Sequence, residues 1–129
     1  MRPGRGGGAA LEFALTLPVL LVLLAGVIEW GWYLHQEVSV TWAARDGALA
    51  GSLTPPASDV EGEAVAQTRR ALEAAGFDGD AAEVNAALED SDSGALVRVT
   101  AAVPYASLLH LLPVPASLRG DSAFLLVRP

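Results

Sequence analysis

GGGAALEFALTLPVLLVLLAGVIEWGWY, residues 6–33, is the stretch on which the reading of this chain turns. Between Phe13 and Ile28 it carries no charged residue, and Trp30, Trp32 and Tyr33 follow at once. At about 1.5 Å per residue, a helix from Ala9 to Tyr33 can cross a hydrocarbon core of roughly 30 Å. Arg2 and Arg5 precede the run, and Glu29 and Glu37 lie at its far end. That asymmetry keeps the arginine side in the cytoplasm and sends the rest of the chain outward. The expected transmembrane helix covers residues 8–33, with Trp30, Trp32 and Tyr33 at the outer membrane interface, where amphipathic rings meet headgroups. A buried core helix and a cleaved secretory signal are the alternatives. The run is long for the first, and the second lacks small residues at a cleavage site, since Val27, Ile28, Glu29 and Trp30 stand there.

The rest of the composition fits a small anchored domain. In 129 residues the apolar fraction reaches 52%, above the usual level for a soluble domain, and the excess sits near the N-terminus. The net charge of -7 comes from Asp and Glu beyond the apolar run, which argues against nucleic acid as a partner. There is no cysteine, so a disulfide framework, a thiolate metal site and a cysteine nucleophile are excluded.

Within residues 6–33, two features stand out. Glu12 places a carboxylate at the start of an apolar helix, where a charge is costly unless it is paired or hydrated, and where the positive end of the helix dipole favours it. Pro18 removes a backbone donor inside the helix, which predicts a kink or local loosening that neighbouring groups must satisfy.

Gly6-Gly7-Gly8-Ala9-Ala10-Leu11-Glu12-Phe13 resembles the processing site of type IV prepilins and pseudopilins. The resemblance implies cleavage by a prepilin peptidase between Gly7 and Gly8, a leader of residues 1–7, and Glu12 as the fifth mature residue. It further implies an assembly role for Glu12 and Phe13, the glutamate meeting the free α-amino group of a neighbouring subunit. Ala9 to Leu20, with Ala-Leu-Glu-Phe-Ala and Leu-Pro in order, and Ala43-Ala44-Arg45-Asp46-Gly47-Ala48 further on, are similar to the two motifs of the TadE-like proteins of tight-adherence pili. Gly8 departs from the bulky apolar residue that opens mature type IV pilins.

Beyond the span, Trp30, Leu34, Val38 and Trp42 recur every four residues, predicting that the helix continues through 34–51 and lays that apolar stripe on its own domain. Thr54-Pro55-Pro56 breaks it, giving a linker at 52–57. An extracytoplasmic α+β domain of residues 58–129 follows. Ser58-Asp59-Val60-Glu61 has capping-box spacing, with Ser58 as N-cap, and Gly76 suits the helix end. Ala82 to Leu88 and Ala95 to Val103 alternate as a hairpin across Asp90 to Gly94, and Leu118 to Val127 supplies a third strand. The expected fold class is α+β: a long transmembrane helix running into a second helix and a roughly three-stranded antiparallel sheet. Pro104 to Pro115 is too apolar to lie bare in water, and is read as a short helix over the sheet, or else as a contact surface for another pilus component or the membrane.

No catalytic or metal-binding constellation emerges. Asp90, Asp92 and Gly94 lack the remainder of a calcium loop, Gly6 to Gly8 lack the ending of a phosphate loop, and His35 and His110 have no spaced partners. The expectation is a non-enzyme without cofactor, acting by assembly as a pseudopilin or minor-pilin-like component of a tight-adherence pilus or related secretion apparatus. Its partners would be the membrane, other pilin or pseudopilin subunits, pilus assembly proteins and prepilin peptidase, and its place the bacterial inner membrane with the N-terminus cytoplasmic. An unprocessed single-pass anchor bearing a binding domain, and a secreted domain with a cleaved signal, are the alternatives.

Overall fold

A computed structural model describes residues 6–55, 57–110 and 112–127. Most of the leader at 1–7, Arg2 and Arg5 with it, lies outside the described residues, as do Pro56 in the linker and Leu111 in the apolar segment. Two helices and three strands follow in the order α1 (Gly6–Leu53), α2 (Val60–Ala74), β1 (Glu83–Ser91), β2 (Gly94–Pro104) and β3 (Ser117–Leu125). The strands form one antiparallel sheet in the order β1-β2-β3. This is the expected α+β architecture.

α1 is apolar on every side over its first half, and from Gly7 to Leu24 all of its residues are exposed in the isolated chain. Its second half is a different object. Val40, Ala43, Ala44 and Ala48 are buried there against α2 and the sheet. Gly47 shows how close that approach is: a methyl added to it would overlap the Thr68 hydroxyl and come within 2.6 Å of the Ala64 carbonyl oxygen. Small residues on this face let the two helix backbones meet almost in contact.

The stripe expected to face the domain is therefore on the wrong side. Trp30, Leu34, Val38 and Trp42 are all exposed. Periodicity detected an apolar row correctly but not its direction, because α1 carries two rows and the tighter packing of the Gly/Ala row wins the domain-facing position. The Arg45 guanidinium lies 4.9 Å from the Trp42 ring centroid and shields one face of that indole.

α2 is capped by Asp59, not by Ser58, its carboxylate accepting the Gly62 N–H at 2.8 Å. Glu61 is thereby released from the expected capping box and accepts the Leu88 N–H of β1 at 3.0 Å. The other end closes as a Schellman motif: the Phe77 N–H donates to Leu72 O and the Gly76 N–H to Glu73 O, both at 3.0 Å, with Gly76 at φ +88°. Thr68, fully buried between the helices, satisfies its hydroxyl on the Ala64 carbonyl at 2.8 Å.

The hairpin is tighter than expected. Ser91 pairs with Gly94, so Asp92 and Ser93 alone make the turn. Val97, Val99, Ala101 and Val103 of β2 point into the core with Leu118 of β3, while Arg98 on the opposite face reaches Glu89 of β1 and Asp121 of β3, both at 3.0 Å. Those carboxylates raise the Arg98 pKa, but the group is solvent-facing and such pairs add little.

The connection from Tyr105 to Ala116 is not the short helix expected. The Tyr105 N–H donates to Ala116 O at 2.9 Å, closing the loop at its base, and no helical turn forms among its described residues. Pro113 and Pro115 lack the donors a helix needs, and the Leu108 and Leu109 N–H groups are taken by a side chain of α1.

Candidate functional site

Gly7 and Gly8 lie in the first turns of α1, and a side chain on either would meet open space. Glu12 and Phe13 follow one turn later on the exposed surface, Phe13 being 61% accessible. Among the described residues the Glu12 carboxylate has no hydrogen-bond or ion-pair partner. The Thr16 hydroxyl donates to the main-chain carbonyls of Glu12 and Phe13, both at 3.1 Å. α1 continues through Pro18, whose missing N–H frees the carbonyl one turn earlier.

At the other end of the span, the three aromatic residues divide. Trp30 and Trp32 face outward, whereas Tyr33 is buried and stands edge-on to Tyr105, with ring centroids 5.2 Å apart and an interplanar angle of 84°. Trp30 in turn meets Tyr33 edge-on at 5.8 Å. Such edge contacts add about 0.5–1.5 kcal/mol beyond the area buried.

One turn before Tyr33 lies Glu29, only 1% exposed. One of its carboxylate oxygens accepts the Tyr105 hydroxyl at 3.1 Å and the Leu108 N–H at 3.0 Å, while the other accepts the Leu109 N–H at 2.8 Å. Helical spacing puts Glu29, Tyr33 and Val40 on one face, so the residues that hold the loop continue the row that holds the domain. Burial, then the hydrogen bond to Glu29 and its charge, push the Tyr105 hydroxyl above its ordinary value.

Glu29 read from sequence is only a flanking charge. Its actual role is to satisfy the backbone of a loop about eighty positions away, a buried carboxylate kept at low cost because donors surround it. The available signal was its spacing from Tyr33 and Val40, which places it on the domain-facing row.

Expected positions thus fall into two separate places. Gly7, Gly8, Glu12, Phe13 and Pro18 line the free first half of α1, and Trp30, Trp32 and Tyr33 mark the junction with the domain. At the second place Trp32 borders an open cleft of about 370 Å³ with His35, Gln36, Ser39, Phe77 and Pro104.

No curated protein and no solved structure matches this chain. Against protein families, the match is to the TadE-like protein family and spans residues 7–49, about a third of the chain. It includes Gly7, Gly8, Glu12 and Phe13, the apolar run with Pro18, and the Ala43 to Ala48 row that faces the domain. Over residues 7–49, this chain is similar to the TadE-like protein family.

Proposed function

We propose that this chain is a pseudopilin or minor-pilin-like component of a tight-adherence pilus or related secretion apparatus, acting by assembly and not by catalysis. It waits in the bacterial inner membrane as a single-pass protein, N-terminus cytoplasmic and domain outside. The observation that carries this reading is the free surface of α1. Beyond the span, the helix gives its small residues to its own domain and leaves Leu34, Val38 and Trp42 exposed, in line with the uncovered apolar span. A helix built only as an anchor has no need of large apolar residues on its solvent side, whereas one that packs against other subunits does.

The TadE-like match supports the pilus association, and Glu12 supplies a charge that another subunit's α-amino group can meet. A cleaved secretory signal fits the fold poorly. A cut after Ala50 would strip Val40, Ala43, Ala44 and Ala48 from the core.

An unprocessed anchor is the second reading, favoured by one observation: α1 is already helical through Gly7 and Gly8. Mass spectrometry of the N-terminus, in cells that express the prepilin peptidase, separates the two. The proposal expects a chain beginning at Gly8, and an intact Met1 would count against it.

A further inference from the structure

We infer that the loop around Leu108, Leu109 and Leu112 is a second membrane contact, seated in the outer leaflet at the boundary between phospholipid headgroups and acyl chains. This rests on the single-pass reading of α1 and adds a lipid-binding surface to the domain.

The position of the loop along α1 is the first argument. A methyl placed on Gly26 would come within 2.9 Å of Leu112 Cδ1, so the loop descends past Trp30 to the level of Gly26. Gly26 precedes Trp30 by one turn, about 6 Å along the helix axis. With Trp30 and Trp32 at headgroup level, Leu112 lies on the acyl side of them, at a depth matching the roughly 5–10 Å to which interfacial segments bury apolar faces.

Exposure is the second. Leu108 and Leu109 are 51% and 41% accessible, on a loop that the sheet does not cover. Immersion to the level of Gly26 removes these side chains from water without any protein partner.

The backbone donors at Leu108, Leu109 and His110 are the third. Irregular chain enters an apolar medium at lower cost where its N–H groups have acceptors. Leu108 and Leu109 donate to Glu29, His110 donates to the Ser107 hydroxyl oxygen at 2.9 Å, and Tyr105 donates to Ala116. Pro113 and Pro115 have no N–H to satisfy. The loop carries no Lys or Arg, so anionic headgroups are not required and a zwitterionic bilayer suffices.

The natural chain has no cysteine, which allows single-site labelling. The full chain carrying Leu109→Cys, Val22→Cys or Asp92→Cys is labelled with a polarity-sensitive fluorophore and reconstituted into phosphatidylcholine vesicles. Quenching is then measured with iodide and with lipids spin-labelled at shallow and deep acyl positions. The Leu109→Cys label is expected to be quenched several-fold less by iodide than the Asp92→Cys label at the hairpin tip, and more by shallow than by deep spin labels. Iodide quenching equal to that at Asp92→Cys would overturn the inference while Val22→Cys remains shielded. Shielding that vanishes as protein is diluted into excess lipid would also overturn it, since a second copy would then be the cover. Exposure of Val22→Cys itself would remove the span, and the inference with it.

Discussion

The Glu29 carboxylate and the Tyr105 hydroxyl meet at 3.1 Å across 76 positions of sequence, and this contact joins the membrane helix to the loop that closes the sheet. Because the same carboxylate takes two backbone N–H groups, the junction acts as one unit. The domain and the apolar helix are thereby joined through one buried carboxylate.

Glu29→Gln tests that unit. An amide in this place can offer its oxygen to Tyr105 and Leu108 but turns its NH₂ toward the Leu109 N–H, setting donor against donor. The expected loss is about 1–3 kcal/mol, the usual cost of an unsatisfied buried group. Tyr105→Phe should cost about 1.5–3 kcal/mol, since it removes a hydrogen bond to a charged acceptor. Denaturant unfolding in detergent micelles measures both, and wild-type stability in Glu29→Gln would show the contact to be idle.

The same junction has a signature in pH. The Tyr105 pKa is raised in the folded protein, so its contribution to stability is complete below the unfolded value near 10 and disappears as pH climbs through the higher folded value. Phenolate absorbance in a Tyr33→Phe background should show Tyr105 titrating above the ordinary range. With Glu29→Gln added it should move back toward that range, and an unchanged midpoint would separate the two residues.

Gly47→Ala probes the close approach of α1 to α2. The added methyl meets the Thr68 hydroxyl, which can rotate, and the Ala64 carbonyl, which is held by its helix. A loss of about 1–3 kcal/mol is expected from overpacking. Gly31→Ala, where a side chain meets open space, serves as the comparison and should cost nothing. Equal effects at the two positions would mean the small-residue row is not a packing surface.

Gly76→Ala isolates backbone strain from packing. There is room for the methyl, but φ of +88° is unfavourable for an L residue, so about 1–2 kcal/mol should be lost through the C-cap alone. Unfolding midpoints compared with Gly31→Ala check this, and a neutral result would show that the cap relaxes to another form.

Legibility from sequence depended on the range of the interaction. The sheet is readable because alternation in Val97, Val99, Ala101 and Val103 is local and one face must be buried. Long apolar runs are equally local, which is why the span of α1 and its outward extension stand out. The facing of α1 is not readable by the same means, because hydropathy gives weight to Trp30, Leu34, Val38 and Trp42 while backbone proximity selects Ala44, Gly47 and Ala48. The N-cap of α2 slips by one residue from Ser58 to Asp59, since both side chains can accept from the first turn. Glu29 and Tyr105 are beyond any local pattern. Their partnership exists only once the sheet has brought the loop back to the helix.

The residues proposed for processing and assembly stand apart from these. Gly7, Gly8, Glu12 and Phe13 derive their meaning from the family resemblance, and on an isolated subunit they are simply exposed. Their physical test requires other subunits.

The most direct measurement of the assembly role is cysteine cross-linking on the free face of α1, in membranes of cells that carry the pilus machinery. Val38→Cys, on the exposed row, should form a disulfide-linked homodimer, or a defined heterodimer with a second pilus component carrying an introduced cysteine, under mild oxidation. Val40→Cys, fully buried against the domain, should remain monomeric under the same conditions. A Val38→Cys chain that stays monomeric while the pilus assembles would contradict the account.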